Sequence, residues 1–428
     1  MKKTLGLFLM LSALSFARTL NLEEAIDLSL TNSKNVQIAE KNKKIGELNL
    51  SRAFKYALPT VAYQGVYTRY EHDTREVYNE KGINDDSFKV PSKDGYSSKI
   101  IATYPIFQGG AIFGGIKGAA AQKNILNYSF LKEKVDTRIR VIQYYSNVIT
   151  YEKNLEALKT SEKELQTRMK LQEKKLEERL IIRADLLKTE YSLLDIQSQI
   201  VKVQNQIETE KKNLKIELGL NINEEIDLEE LFIPENLSSN IDFEKDLITA
   251  KTQSLNALIS KNKVEYSKAE KMVALSDNLP KISVFASYGG TERLHSSDTF
   301  HDEEWRGGVQ IDWELFSFGS GIDAYRVARE NYKIEELNDN ITQDNIEINL
   351  ATAYSEVLRL EKYRVAMKSS LEASRENYEI DKKRYEAGLL STQDYLNSEA
   401  QYRTAQMNFN SAESSYLLAF ENYRSLII

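Results

Sequence analysis

The stretch YPIFQGGAIFGGIKG, Tyr104 to Gly118, joins a strand-like segment to a long polar-apolar repeat. Its five glycines fall within ten residues: Gly109, Gly110, Gly114, Gly115 and Gly118. Strand, glycines and helix also follow one another in phosphate-binding loops, but the patterns G-x-x-x-x-G-K-[ST] and G-x-G-x-x-G are both missing here. The glycines therefore indicate a hinge between strand and helix, where the backbone needs unusual conformations and small side chains.

The sequence after this hinge predicts long helices, because no glycine or proline occurs from Ala119 to Leu218. From Ile322 to Ile428 the only one is Gly388. Apolar residues recur there at spacings of three and four, which is typical of coiled-coil packing. One such series is Leu193, Ile196, Ile200, Val203, Ile207 and Leu214, with Glu210 as the polar exception. A helix over 110–180 has a length of roughly 105 Å at ~1.5 Å per residue.

The chain contains two copies of one pattern. TNSKN (Thr31–Asn35) lies 24 residues before Pro59, and TQSLN (Thr252–Asn256) lies 24 residues before Pro280. An offset of 209 residues aligns Phe107 with Phe316, and also 175–187 with 384–396. Each copy predicts a helix, a Leu-Pro break, two strands, a glycine turn, a long helix, a short break and a second helix.

We divide the chain on this pattern. Residues 1–17 have the basic start, apolar stretch and small-residue cleavage site of a secretory signal peptide. The first repeat is 18–220, with a β-hairpin at about 60–107 and a helical-hairpin tip near 179–184. An acidic connector, the equatorial region, covers 221–250. The second repeat is 251–428, with a β-hairpin at about 281–316 and a tip near 387–392.

The clearest strand is WRGGVQIDWELF, in which apolar and polar residues alternate from Trp305 to Leu315. Trp305 and Trp313 lie eight residues apart, roughly 26 Å at ~3.3 Å per residue. That is close to the ~25 Å apolar band between the aromatic girdles of an outer-membrane strand. We assign Tyr104 and Tyr288 to the same girdles. A soluble sheet remains an alternative, because alternation alone is a weak membrane signal.

Four strands are too few to close a barrel, which needs about eight. An open sheet edge in lipid leaves backbone groups without hydrogen bonds. A barrel must therefore be shared between chains, and eight strands from two chains or twelve from three both satisfy this requirement.

Composition excludes several other classes of protein. The 57 basic and 64 acidic residues are spread along the chain without the clustered basic face of a nucleic-acid binder. There is no cysteine, no G-x-S-x-G motif and no histidine in the predicted helices, so we expect no enzyme and no catalytic or cofactor-binding residues. The acidic loop around His295 and His301 lacks a ligand spacing, so we expect no metal site.

Three segments resemble the TolC-like outer-membrane efflux family, and the resemblance covers essentially the whole mature chain. LNLEEAIDLSLTNSKNVQIAEKNKKIGELNLSRAFKYALPTVAYQGVY looks like its opening, YPIFQGG like its strand-to-helix turn, and RYEAGLLSTQDYLNSEAQYRTAQMNFNSAESSYLLA like its inner helical hairpin. The resemblance implies an α+β membrane protein: a trimeric β-barrel with four strands per chain, continued by a long α-helical coiled-coil tunnel. It also implies a location in the outer membrane with the helices in the periplasm.

The resemblance further implies a function and partners. The chain is expected to be the passive exit duct of a tripartite efflux or type I secretion system, together with a periplasmic adaptor and an inner-membrane transporter. The alternative is a periplasmic coiled-coil adaptor or structural protein of an export complex. An adaptor would carry one helical hairpin flanked by small β-domains, whereas this chain has two helix-sheet-helix copies.

In the family, aspartates at the start of the inner helix ring the pore. Asp394 matches the first such position, Asn397 occupies the second, and Asp185 is the counterpart of Asp394 in the first repeat. Ser391 and Asp394 also match an S-x-x-D helix cap, and the two roles are compatible; for Asp185 the cap is favoured. The residues expected to contact an adaptor are Leu180, Ile181, Arg183, Gly388, Leu389, Leu390 and Ser391. The residues expected at the hinges between barrel and tunnel are Pro59, Pro105, Gly109, Gly110, Pro280, Gly319 and Gly321.

Overall fold

The computed structural model describes residues 18–69, 94–294 and 300–428. The predicted signal peptide, residues 70–93 of the first polar loop and residues 295–299 of the second lie outside the described residues. Within the described ranges, no helix is both long enough and apolar enough to cross a membrane.

The described chain contains eight α-helices and six strands in an order that repeats. The first half has β1 (Arg18–Leu20), α1 (Leu22–Asn32), α2 (Lys34–Lys55), β2 (Thr60–Arg69), β3 (Asp94–Gln108), α3 (Ala111–Glu177) and α4 (Arg183–Glu217). The second half has β4 (Ile226–Leu228), α5 (Phe243–Gln253), α6 (Leu255–Ser276), β5 (Lys281–Leu294), β6 (Phe300–Asp312), α7 (Ser320–Glu386) and α8 (Thr392–Ile427). The two longest helices, α3 and α7, have 67 residues each.

The chain forms two compact units, and each repeat contributes to both. Among the described residues, the first unit comprises 18–42, 128–258 and 342–428, and the second comprises 43–69, 94–127, 259–294 and 300–341. The division therefore follows neither repeat alone.

The second unit contains a four-stranded antiparallel sheet in the order β2-β3-β5-β6. The register places Ile100, Tyr288 and Trp305 side by side, and four residues further on it places Tyr104, Val284 and Val309 side by side. Neighbours in register share a face, so these residues lie together, and Tyr63 of β2 joins them opposite Ile100. Ile101 and Phe285 are apolar residues of the other face. Lys99, Arg306, Gln310 and Asp312 lie on the opposite, polar face.

Strand β6 ends three residues earlier than its alternation predicts. Asp312 pairs with Lys281, the first residue of β5, so Trp313 and Leu315 have no strand beside them. Trp313 instead donates its indole N–H to the carbonyl of Asn278 at 3.4 Å. In β3, the register shifts between Pro105 and Phe107, so Ile106 lies in a bulge and not in the regular alternation.

The first unit holds two separate hydrophobic clusters. The central cluster contains Tyr145, Leu214, Leu350 and Tyr416, and the distal cluster contains Leu158, Ile196 and Tyr395. The predicted α4 series divides between them, with Leu193, Ile196, Ile200 and Val203 distal and Leu214 central. Glu210 lies between the two parts, and one of its carboxylate oxygens is buried without a hydrogen-bond partner.

The first residues of the described chain pack into the central cluster. Strand β1 pairs in parallel with β4 of the connector, and Leu20 is fully buried. The hydroxyl of Tyr145 lies 3.0 Å from the Leu20 carbonyl and 2.7 Å from that of Glu229. Burial raises the pKa of Tyr145 to about 12, so this hydroxyl keeps its proton.

Candidate functional site

The two helical-hairpin tips have the same backbone. Helix α3 ends at Glu177 and α4 begins at Arg183, while α7 ends at Glu386 and α8 begins at Thr392. At each tip a residue with positive φ follows the helix: Arg179 (59°) in the first and Gly388 (75°) in the second. The next amide then donates back to the helix at 2.8 Å, from Leu180 to Lys175 and from Leu389 to Arg384. This is the six-to-one bond of a Schellman motif.

Ser391 caps α8 by binding Asp394, which fits the capping interpretation of the S-x-x-D sequence. Ser391 is the N-cap of α8, and its hydroxyl accepts from the Asp394 N–H at 3.1 Å. The same hydroxyl donates to the Asp394 carboxylate at 2.7 Å. Asp394 and Asn397 are both exposed, three residues apart on the first turns of the helix, so the cap leaves the carboxylate accessible. Its role in a pore stays a prediction.

Asp185 makes no such cap, and that expectation is wrong. The N-cap of α4 is Ile182, whose side chain cannot accept a hydrogen bond. Asp185 instead lies in the first turn and pairs with Lys188 at 3.7 Å. The first tip therefore lacks the Ser-Asp pair that orders the second.

The residues predicted to contact an adaptor fall into two groups. Leu180 and Leu389 are exposed by 67% and 73%, and Arg183, Gly388 and Ser391 are exposed as well. Ile181 is half-buried, and Leu390 packs against the distal cluster. Ile182, which precedes α4, is 66% exposed and belongs with the first group.

A polar network behind the tips was not predicted from the sequence. The carboxylate of Glu164 on α3 accepts from the hydroxyls of Tyr378 at 2.6 Å and Tyr395 at 3.3 Å, and it pairs with the ammonium group of Lys382. Tyr378 and Lys382 lie on α7, and Tyr395 lies on α8. One carboxylate thus connects three helices, and we call these four residues the Glu164 network.

Electrostatics in the network favour a charged Glu164. Burial alone would raise its pKa, but the hydrogen bonds from Lys382 and Tyr378 outweigh burial, so the pKa of Glu164 is lowered. Burial raises the pKa of Tyr395 to about 12 and also raises that of Tyr378. Both tyrosines therefore stay protonated and available as donors at neutral pH.

Two further buried cations lie next to this network. The guanidinium of Arg168 is 4.0 Å from the ring centroid of Tyr395 and 4.6 Å from that of Tyr385. Gln172, one turn further on, donates to the Tyr385 hydroxyl at 2.9 Å. Arg403 pairs with Glu399 at 3.0 Å; burial raises the pKa of Glu399, and Arg403 opposes that rise.

Six of the seven predicted hinge residues lie at junctions between strand and helix, and the seventh, Pro105, lies within β3. Pro59 directly precedes β2, Pro280 directly precedes β5, and Pro105 lies at the β3 bulge. Gly109, Gly110 and Gly319 have positive φ values of 59°, 93° and 86°. A Cβ on Gly321 would come within 2.5 Å of the Asn278 side chain, whose amide donates to the Gly321 carbonyl.

Three of the four predicted girdle residues lie at the ends of the apolar face. Tyr288 and Trp305 are neighbours in register at one end, and Trp313 follows the last residue of β6 at the other. Tyr104 is level with Val309, midway between the two tryptophans, so its position is that of the middle of the face. Among the described residues, no group of three or more His, Asp or Glu is placed to hold a metal ion.

Comparison with known proteins agrees with this architecture. The family model described as outer membrane efflux protein matches residues 25–220 and 252–427, one match to each repeat. No protein of curated function matches the chain by sequence.

Several solved structures share the fold. The Campylobacter jejuni CmeC outer membrane channel is 18% identical with a TM-score of 0.80, over 95% of this chain and 85% of that one. The outer membrane protein VceC of Vibrio cholerae is 14% identical with a TM-score of 0.77, over 95% of each chain. A membrane protein from Pseudomonas aeruginosa is 14% identical with a TM-score of 0.81, over 95% of this chain and 93% of that one.

Each repeat contributes two strands to one sheet and forms a long helical hairpin, and the family model matches each repeat. The chain therefore belongs to the outer membrane efflux protein family.

Proposed function

We propose that three copies of this chain form the outer-membrane exit duct of a tripartite efflux or type I secretion system. The barrel would have twelve strands, four from each copy, and the helices would continue it as a tunnel into the periplasm. A periplasmic adaptor and an inner-membrane transporter would dock at the helical tips, and the transporter would supply the energy.

One observation supports this proposal most directly: the sheet has two different faces and two free edges. Among the described residues, β2 pairs only with β3, and β6 pairs only with β5. The apolar face carries Trp305 and Val309, which are 75% and 64% exposed, and the opposite face carries Arg306 and Gln310. The backbone groups at the two edges of such a sheet find hydrogen-bond partners when the edges pair with other copies of the chain. The apolar face then contacts lipid, and the polar face lines a lumen.

The tips supply the features needed for docking and for a pore constriction. Leu180, Ile182 and Leu389 are exposed apolar side chains at the turns, which suits contact with another protein. Asp394 is exposed at the start of α8, so three copies would place three carboxylates around one axis. The Glu164 network holds α7 and α8 against α3, so a tip that opens must release these contacts.

The proposal is tested by expressing the full chain with its predicted signal peptide and extracting the product from outer membranes in detergent. We expect a trimer by native mass spectrometry and stepwise conductance in planar lipid bilayers. A soluble periplasmic monomer would contradict the proposal.

A matched pair of variants tests the assignment of the two faces. Val309→Arg places a charge on the apolar face, at a cost of about 2–4 kcal/mol per copy near the bilayer midplane, so little trimer should reach the outer membrane. Gln310→Arg places the same charge on the adjacent residue of the polar face, where trimer and conductance should persist. Equal loss in both variants would mean that the faces are not divided between lipid and lumen.

A further inference from the structure

Within the second unit, a helix of the first repeat packs closely on a helix of the second. A Cβ on Gly114 of α3 would lie 2.9 Å from the side chain of Val273 on α6. One turn further on, a Cβ on Gly118 would lie 3.5 Å from the Cβ of Ala269, which is 2% exposed. The start of α3 therefore covers one face of α6, and glycine permits the close approach.

The repeat defines a second contact of this kind, between α7 and α2. Helices α2 and α6 have 22 residues each and are related by an offset of 221, while α3 and α7 have 67 each and are related by 209. The counterparts of Gly114, Gly118, Ala269 and Val273 are Asp323, Val327, Leu48 and Arg52. Leu48 and Val327 are exposed by 58% and 60%. Because α2 leads into β2 and α7 follows β6, which are opposite edges of the sheet, the second contact needs another copy of the chain.

The end of β6 shows the same need for a second copy. Strand β6 ends at Asp312, whereas β3 stays paired with β5 up to the residue before its glycine turn. The two offsets transfer the β3–β5 register to β6 of one copy and β2 of another, and they place Trp313 opposite Tyr63 and Phe316 opposite Val61. Trp313 continues the alternation of the apolar face, to which Tyr63 belongs, so this register brings like faces together. A shift by one residue would not.

The two helix contacts differ in charge, because Asp323 and Arg52 take the places of a glycine and a valine. Arg52 is exposed, it lies over the Tyr56 ring at 5.8 Å, and among the described residues no carboxylate pairs with it. Asp323 pairs with Arg326 of its own helix at 3.1 Å and is 71% exposed, so it has room for a second cation. A side chain at 323 keeps α7 farther from α2 than α3 is from α6, and the long side chain of Arg52 is able to span the wider gap.

We propose that α7 of one copy packs on α2 of the next, with Asp323 paired to Arg52 of the next copy and Val327 against its Leu48. The inference rests on the proposed function, because it requires the ring of copies that closes the barrel. The contact joins two different surfaces, so a ring of three copies leaves none of them uncovered. The ion pair also selects the correct helix: Asp323 packed on α6 would lose hydration against Val273 and gain no partner.

Crosslinking in outer membranes tests which residues meet. The chain has no cysteine, so two introduced cysteines report on one contact. Leu48→Cys combined with Val327→Cys should give a covalent trimer on a denaturing gel after treatment with a short bismaleimide. Leu48→Cys combined with Ile341→Cys is the matched control and should stay monomeric. Ile341 is also an exposed apolar residue of α7, but it lies roughly 21 Å further along the helix at ~1.5 Å per residue.

Charge reversal in the crosslinking background tests the ion pair. Arg52→Asp and Asp323→Arg each bring like charges together and should lower the crosslinked fraction about threefold or more at about 0.05 M salt, where screening is weak. The double variant should restore the fraction to within about twofold of the starting value. Asp323→Arg also removes an acid from the first turn of α7, which weakens the helix by itself, so recovery in the double variant isolates the pair. Glu356→Arg is the control: it reverses an exposed carboxylate of α7 that pairs with Arg359, and it should change nothing.

Two results would overturn the inference: a conducting trimer in which Leu48→Cys with Val327→Cys does not crosslink, and a double charge variant no better than the single ones. The charge variants are also compared without cysteines, as the yield of trimer by native mass spectrometry, so the ion pair is tested even if the cysteines prevent assembly. Absence of any trimer in the wild type would refute the proposed function as well. A conducting trimer joined through other residues refutes only the contact proposed here.

Discussion

Arg179 and Gly388 occupy equivalent positions of the two repeats and have the same left-handed backbone, yet only one of them is glycine. The left-handed region costs a residue with a side chain about 1–2 kcal/mol, because Cβ crowds the following carbonyl. Arg179 nevertheless has a φ of 59°, and the first tip is closed by the same hydrogen bonds as the second.

The first prediction follows from this asymmetry. Arg179→Gly should raise the free energy of unfolding by about 1 kcal/mol, and Gly388→Ala should lower it by a similar amount. The measurement is the urea midpoint of the helical circular dichroism signal. Glu178→Gly is the control, because the φ of that residue is not positive, and it should lower the midpoint. Equal effects of glycine at 178 and 179 would show that the left-handed conformation is not maintained.

The same comparison accounts for part of what the sequence predicted at the hinges. Gly110, Gly319 and Gly388 each have a positive φ, a backbone conformation that favours glycine. Phe318 has a φ of 52° and was missed, because nothing in its side chain signals a turn. It corresponds to Gly109, where a Cβ would lie 2.6 Å from the Ser276 carbonyl, whereas Phe318 is 92% exposed.

Among the elements, those whose pattern is local could be predicted from the sequence. Alternation in WRGGVQIDWELF predicted a strand, and the residue spacing of α4 predicted a buried seam. The end of β6 at Asp312 could not be predicted, because it is set by where β5 begins, at Lys281.

The Glu164 network was not predictable for the same reason. Glu164 and Tyr378 are 214 residues apart in sequence, and each has ordinary helical neighbours. In a helix rich in Lys and Glu, a carboxylate that is buried by another helix looks like one that faces solvent. Only the packing of α3, α7 and α8 distinguishes Glu164 from the exposed acids near it.

The second prediction concerns the pH dependence of this network. The pKa of Glu164 is lowered below 4.5 in the folded state, so its stabilisation is complete above pH 4.5 and is lost as the pH falls toward the folded value. At pH 7 the wild type should exceed Glu164→Gln by about 1–3 kcal/mol, because the variant leaves buried donors without a charged acceptor. This difference, from denaturation curves at each pH, should shrink as the pH falls below 4.5.

Glu399, which lies next to the Glu164 network, should show the opposite dependence of stability on pH. Burial raises its pKa above 4.5, so the folded state holds the proton more tightly than the unfolded state. The wild type should therefore lose stability relative to Glu399→Gln as the pH rises from 4.5 through the raised folded value. Parallel pH curves for the two variants would contradict the burial and pairing described for both carboxylates.

At the scale of the whole molecule, the two repeats contribute unequal sites to one architecture. Each repeat supplies two strands to the sheet and one helical hairpin with a Schellman turn. Only the second tip has a serine cap and an exposed aspartate at the start of its helix, Ser391 and Asp394. In the proposed trimer this would give three such positions, and the resemblance to the family implies that they ring the pore.

The last prediction is that Asp394 sets the ion selectivity of the assembled pore. Asp394→Ala should lower the ratio of cation to anion permeability a few-fold in planar bilayers, and Asn397→Asp should raise it, because three carboxylates are removed or added. The effect should fade as the salt is raised from 0.1 M to 1 M, where the screening length falls from about 10 Å to about 3 Å. Ser391→Ala separates charge from capping: it removes the helix cap, at about 1 kcal/mol of stability, and keeps the carboxylate. If Ser391→Ala changes selectivity as much as Asp394→Ala does, the aspartate acts through the geometry of the helix start and not through its charge.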